Sequence, residues 1–349
     1  MKSFSAELGW IIYFLELNWR GLAMINANAV SIKRQGAPEE MVLERQEIAA
    51  PGAGQLLIEQ KALGLNYQDV YHRSGFYPLS LPSGIGTEAA GVVLACGEGV
   101  DEFKPGDRVA YAGGAPGAYA SHRIMPADRM VKLDDGVELG DVARVLLKGM
   151  TVEYLLNRCV PIGTGKTALV YAAAGGVGLL AGQWGHHLGA TMIGIAQGEA
   201  KCSLARANGY SHVIDRSCED VAARIRELTS GKGVDVVYDS VGKASFETSI
   251  NALKPRGTFV SFGTTTGAPP AVEAAQLQKL GSLYFTRPTL VTYTASRQEL
   301  LDSAGTVFRM LRDGHLRVHR GADYRLEQVV QAHHDLESGR TSGACLIIP

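Results

Sequence analysis

Two rhythms of apolar and polar positions divide this chain. From residue 29 to about residue 149, short apolar runs are broken by turn residues, the pattern of a compact β-rich domain without long helices. Residues 42–45 and 55–59 read as strands on either side of the turn Pro51-Gly52-Ala53-Gly54. Further strand candidates fall at 91–95, 104–110 and 118–124.

From Thr151 onward the rhythm changes to apolar runs alternating with helical periodicity. Residues 167–172 form an uninterrupted apolar run, as in a strand buried on both faces of a parallel sheet. A helix over 178–188, a strand over 191–196 and a strand candidate ending at 213–216 follow, then a helix over 220–229 and a strand over 234–239. After them come a helix over 246–253 and strands over 258–262 and 282–285. This repeated βα alternation predicts an α/β protein built on a doubly wound parallel sheet. Helices are expected at 298–313 and 326–338, and the closing strand 344–348 is expected to return to the first domain. The expected division is a β-rich domain over 24–149, a nucleotide domain over 150–287 and a returning segment over 288–349.

Composition narrows the possibilities. With 34 Lys+Arg against 35 Asp+Glu the formal charge is −1, so no basic field exists to hold nucleic acid or an anionic membrane. The five cysteines are scattered, with no C-x-x-C, and read as reduced thiols of a cytoplasmic protein. The apolar stretch 10–15 is interrupted by Glu16 and Asn18, too short for a membrane span. It reads as part of an N-terminal appendage over 1–23, with Met24 a candidate functional start.

The chemistry is signalled by Ala172-Ala173-Ala174-Gly175-Gly176-Val177-Gly178, between an apolar strand and a helix. A dinucleotide needs a tight turn there, a glycine where backbone approaches the pyrophosphate, and another where helix and strand pack closely. The helix N-terminus then offers free amides to the phosphates. Ala173 stands in the first glycine's place. The second strand ends Ile195-Ala196-Gln197-Gly198 without the carboxylate that holds a ribose 2′-hydroxyl, while Lys201 and Arg216 supply cations for a 2′-phosphate. NADPH is therefore the expected cofactor. Gly163-Thr164-Gly165-Lys166-Thr167 imitates the end of a P-loop, but it precedes its strand and Val160 stands where the first glycine belongs.

Further segments carry a resemblance: Gly64-Leu65-Asn66-Tyr67-Gln68-Asp69, Arg73-Ser74-Gly75-Phe76-Tyr77, residues 82–91, Lys148-Gly149-Met150-Thr151, Tyr238-Asp239-Ser240-Val241-Gly242 and residues 283–288. With the glycine loop, these segments resemble the zinc-free quinone oxidoreductases related to zeta-crystallin, within the medium-chain dehydrogenase/reductase superfamily. The resemblance covers about residues 29 to 349. It implies a Rossmann domain joined to a GroES-like catalytic domain.

Zinc-dependent relatives carry Cys where this chain has Asn66 and G-H-E where it has Gly86-Thr87-Glu88. No three ligands for a catalytic zinc remain. Adjacent pairs such as His186/His187 and His333/His334 diverge by about 100° on a helix and cannot substitute. Without a Lewis acid, a quinone or an alkene conjugated to a carbonyl is the easier acceptor, because it spreads the incoming charge itself. A quinone is the expected acceptor and an α,β-unsaturated carbonyl the alternative. A lens or RNA-binding role, known among zeta-crystallin-like proteins, is disfavoured by the near-zero charge.

The resemblance also implies residue roles. Asn66 and Tyr71 would border the nicotinamide, with Tyr77 a wall of the acceptor pocket. Ala174, Gly175, Gly176, Val177 and Gly178 would cradle the pyrophosphate, with Thr151 and Ser240 as further cofactor contacts. Lys201 matches the family's 2′-phosphate lysine, and Arg216 replaces the tyrosine that accompanies it. Phe262, Gly263, Thr286 and Arg287 would close over the nicotinamide half. A homodimer joined near 282–285 is expected, since an apolar edge strand is poorly left in water.

Overall fold

The computed structural model describes residues 24–349, so the appendage expected over 1–23 lies outside the described residues. The first lobe opens with β1 (Met24–Ile32) and β2 (Val42–Ala49), an antiparallel pair, followed by the long strand β3 (Gln55–Gly64). Helix α1 (Tyr67–Ser74) follows at once. The Asp69 carboxylate accepts the Asn66 N–H at 3.0 Å, and Gly75, at φ +91°, turns the chain out of the helix. The short β4 (Ser83–Gly84) joins β1, and β5 (Glu88–Cys96), β6 (Arg108–Ala112), β7 (His122–Pro126) and β8 (Val131–Lys132) complete the β-rich lobe.

One expectation fails here. The stretch read as short strands and turns holds a 15-residue helix, α2 (Leu139–Glu153), which runs across the boundary expected at 149/150. From Val142 to Glu153 every residue is buried. Polar residues recur at helical spacing along it, at Asp141, Arg144, Lys148 and Thr151, so a helical period is present in the sequence, but Arg144, Lys148 and Thr151 are buried and the stripe faces protein instead of water. Glu138 precedes the helix without a side-chain cap, which removes the start signal.

The second lobe alternates as expected: β9 (Thr167–Val170), α3 (Gly176–His187), β10 (Thr191–Ala196), α4 (Glu199–Arg206), β11 (His212–Asp215), α5 (Val221–Leu228), β12 (Val234–Asp239), α6 (Phe246–Asn251), β13 (Leu253–Ser261), α7 (Ala274–Lys279) and β14 (Tyr284–Thr286). All six strands are parallel, in the order β11-β10-β9-β12-β13-β14. Chain order reverses between β9 and β12, the switch point where an open α/β sheet binds its ligand. Strand β9 stops at Val170, short of the expected Ala172, because Ala172 adopts φ +53° and already opens the glycine loop.

After α8 (Leu290–Tyr293), α9 (Arg297–Arg312) starts at a capping box in which Ser296 and Glu299 exchange bonds, and it packs on α2. β15 (Arg320–Arg325), α10 (Val329–Glu337) and β16 (Ala344–Ile348) complete the chain. β16 pairs with β3, so the tail does return to the first lobe. One hydrophobic cluster, including Leu146, Met150, Trp184, Val260 and Val307, runs through α2 into both lobes.

At the late edge, two of the three apolar residues Leu283, Tyr284 and Phe285 are covered by the chain itself. Leu283 is buried in the chain's own core and Phe285 packs on Phe259 at 5.2 Å, leaving Tyr284, 63% exposed, as the apolar surface of the edge strand β14.

Candidate active site

The glycine loop is built as its spacing demands. A Cβ on Gly178 would lie 2.2 Å from the Ala172 carbonyl oxygen, and one on Gly176 would lie 2.8 Å from Cδ of Lys148. These positions keep the start of α3 open and close to its strand, the cradle a pyrophosphate requires. Ala173 fills the first glycine's place because the left-handed turn falls one residue earlier, on Ala172. The tail meets this loop, where the Gly343 N–H donates to the Ala174 oxygen at 3.1 Å.

The loop borders a cleft of about 990 Å³ between the lobes. Asn66, Tyr71, Tyr77, Thr151, Ala174, Gly175, Gly176, Val177, Gly178, Lys201, Arg216, Ser240, Phe262, Gly263 and Arg287 all line it. Thr286 does not; it sits on β14 paired with Val260. Gly263 is required where the loops after β12 and β13 abut, since a Cβ there would meet the Ser240 oxygen at 2.7 Å. The fully buried Asp239 carboxylate holds the loop after β12 by accepting from Val241 and Gly242 N–H and from Ser245 and Ser249 hydroxyls.

Lys201 and Arg216 line one end of the cleft. Lys201 Nζ donates to the Gly339 oxygen at 2.5 Å, and Arg216 to the Gln197 side chain. The nearest carboxylate in sequence, Asp215, accepts from Gly198 N–H at 2.9 Å and from both the hydroxyl and the N–H of Ser217. These bonds, the Ser217 hydroxyl foremost, hold it down at about 2, a carboxylate committed to its own turn.

At the other end, Tyr67, Tyr71 and Tyr77 form an aromatic wall, with Tyr71 5.3 Å from Tyr67 and 5.2 Å from Tyr77 between ring centres. The Tyr71 hydroxyl accepts the Thr264 N–H at 2.7 Å, tying α1 to the loop after β13. Burial raises the Tyr71 phenol above its ordinary range.

Beneath this wall lies a network that the sequence did not reveal. Asn66 Nδ2 donates to Glu88 Oε2 at 2.8 Å, and Asn66 Oδ1 accepts from Lys148 Nζ at 2.7 Å. Asp69 accepts from the Thr87 hydroxyl at 3.0 Å and from the Tyr119 hydroxyl at 2.9 Å, and Tyr119 reaches His333 Nε2 at 3.2 Å. Burial pushes the Asp69 carboxyl up to about 7 and the His333 imidazole down to about 3, and raises Glu88 against the pull of Lys148. His333 and His334 point apart as expected, one in this network and one on the surface against Glu39. Among the described residues, no three His, Cys, Asp or Glu side chains group so as to hold a metal ion.

A parallel sheet with a glycine loop at its switch point, joined to a GroES-like β lobe across a cleft, is the build of the medium-chain dehydrogenases and reductases. Comparison with known proteins agrees. Residues 52–135 match the alcohol dehydrogenase GroES-like domain family, and residues 176–304 match the zinc-binding dehydrogenase family. The chain is 42% identical to a quinone oxidoreductase of Pseudomonas aeruginosa over 93% of its length and all of that protein. It is 38% identical to a 2-haloacrylate reductase of a Burkholderia species, covering 92% of this chain and 98% of that one. The structure of Escherichia coli quinone oxidoreductase complexed with NADPH superposes with a TM-score of 0.89 at 41% identity, over 92% of this chain and 100% of that one. This chain belongs to the quinone oxidoreductase family.

Proposed function

We propose that this protein is an NADPH-dependent reductase of quinones that works without a metal. The observation that carries the reading is the cleft itself. One end presents two cations and no free carboxylate, the middle presents the glycine loop, and the other end presents an aromatic wall backed by Asn66. When bound, NADPH supplies a hydride, two electrons with one hydrogen nucleus. The chain's residues do the rest. Gly175 to Gly178 and the N-terminus of α3 would hold the pyrophosphate, Lys201 and Arg216 the 2′-phosphate, and Ser240, Phe262, Gly263 and Arg287 the nicotinamide half. Tyr71 and Tyr77 would wall the acceptor's flat ring, and the Tyr71–Thr264 bond keeps the lobes together around it.

Asn66 and Thr87 stand where zinc-dependent relatives carry ligands, and Lys148, Glu88 and Asp69 already satisfy their polar atoms. Turnover is therefore expected to survive exhaustive chelation. Loss of activity together with stoichiometric zinc overturns the metal-free reading.

Reduction of an α,β-unsaturated carbonyl is the second reading, favoured by the likeness to a 2-haloacrylate reductase. NADPH oxidation against a panel of quinones, enals and enones tests both. Faster turnover of the quinones supports the first, and activity confined to conjugated carbonyls supports the second. The cytoplasm is the proposed location; all five cysteines are free thiols, and no helix among the described residues is long and apolar enough to cross a membrane.

The proposed assembly is a homodimer joined at the edge strand β14, supported by its unpaired edge and by the exposed Tyr284. Light scattering should give the mass of two chains, and Tyr284→Asp should reduce it to one. A single-chain mass for the unaltered protein at micromolar concentration removes the dimer.

A further inference from the structure

The reading above uses the buried Lys148 only as a hydrogen-bond partner of Asn66. Its side chain, 7% accessible, runs from α2 past the glycine loop, where its Cδ and Cε occupy the space a Cβ on Gly176 would enter. Its ammonium donates to Asn66 Oδ1 at 2.7 Å and lies 3.5 Å from Glu88 Oε2. Glu88 in turn fixes the Asn66 amide through Nδ2, so that Oδ1 faces the lysine, and its second oxygen accepts the Leu147 N–H at 2.7 Å. Lys148 and Asn66 both line the cleft beside Tyr71 and Tyr77, whereas Glu88 lies fully behind them.

An ammonium has three donors; Asn66 engages one, and Glu88 pairs with the charge at 3.5 Å. A buried ion pair contributes little to stability, because desolvation offsets the attraction. Its position at the cleft wall therefore calls for another explanation. The other cation at this end, Arg287, donates to the Ser261 carbonyl at 2.8 Å and sits 3.5 Å from the Tyr77 hydroxyl, on the opposite lobe.

We propose that Lys148 is a catalytic residue whose ammonium stabilises the negative charge that collects on the acceptor's conjugated oxygen, with Glu88 and Asn66 as positioning residues. The proposal rests on the reductase reading above. The acceptor receives the hydride, its oxygen becomes anionic, and that oxygen takes one proton from water. Lys148 keeps its protons throughout, so NADPH, acceptor and one proton give NADP⁺ and the reduced acceptor. A fixed charge in a buried site needs no reorganisation as the charge develops, and it acts more strongly there than in water. Its help matters most for acceptors that spread their own charge least, the conjugated carbonyls rather than the quinones.

Two measurements on the full chain test this. The first uses p-nitrophenol, whose absorbance reports its ionisation, as a probe of an acceptor oxyanion and needs no turnover. Bound to the unaltered protein with NADP⁺, the phenol should ionise at least about one pH unit below its value in solution. In Lys148→Met that shift should vanish, and in Lys148→Arg part of it should remain. The second compares kcat along a series from benzoquinones to enones. Lys148→Met should lose about 10²- to 10³-fold on the poorest acceptors, and less than about tenfold on the most electron-poor, with NADPH affinity held within about threefold.

Because Lys148→Met leaves the Glu88 charge buried, the paired variant Lys148→Met/Glu88→Gln is measured beside it. An unshifted phenol in the unaltered protein, the same shift in Lys148→Met, or an equal loss on every acceptor overturns the proposal. A phenol shift that depends on Lys148 in a protein that oxidises no NADPH would instead remove the reductase reading and leave the charge site standing.

Discussion

Replacing Lys201 and Arg216 together with alanine is expected to weaken NADPH binding by about 2–4 kcal/mol, roughly 30- to 1,000-fold, while NADH affinity moves less than about twofold. Both side chains line the same end of the cleft, and each is held in the free chain by a neutral acceptor, Gly339 O and the Gln197 side chain. A dianionic 2′-phosphate displaces such partners readily, because charge-assisted bonds are about twice as strong as neutral ones. Of the carboxylates nearby, Asp215 is committed to Gly198 and Ser217, Glu199 to Arg206 and Glu337 to Arg73. Titration of both cofactors decides the matter. Equal losses for NADPH and NADH would place the pair away from the 2′-phosphate.

Gly178→Ala is expected to cost about 2–3 kcal/mol of stability and to abolish measurable cofactor binding. The added methyl would lie 2.2 Å from the Ala172 oxygen and 2.8 Å from Ala173 Cα, both backbone atoms of the turn that shapes the cradle. Neither can yield without moving the loop. Gly176→Ala provides the contrast: the nearest atoms to its methyl are the Lys148 side-chain stem at 2.8 Å and the Gly343 oxygen at 3.3 Å. That variant should melt close to the unaltered protein and shift Lys148 instead. Thermal melting with fluorescence titration of NADPH separates the two. A Gly178→Ala protein with unaltered affinity would mean the pyrophosphate does not approach this turn.

The nucleotide lobe was legible because its demands are local. Strands over Thr191–Ala196 and Val234–Asp239 and the glycine loop between β9 and α3 are written in consecutive residues, and their apolar runs report burial directly. The candidate site residues, Thr286 excepted, lie along the cleft. The closing strand Ala344–Ile348 has the bounds its apolar run implies, although its partner β3 lies near the other end of the chain.

What escaped the sequence depends on packing. Helix α2 has no side-chain cap at its start, and its polar stripe of Arg144, Lys148 and Thr151 is buried, which only the packing of the lobes around it decides. Lys148 follows Leu147 and precedes Gly149 with nothing to mark it as buried; only the packing of α2 between the lobes brings it to Asn66, 82 residues earlier. Asp69, Tyr119 and His333 likewise come from α1, a loop and α10, 50 and 214 residues apart along their bonds. The chain's local pattern thus determined the parallel sheet, the turn that accepts a dinucleotide and the cations beside it, since backbone conformation answers to neighbours in sequence. The tertiary structure alone decided which polar groups lie buried against one another, because desolvation and charge pairing depend on distances that only the assembled lobes create.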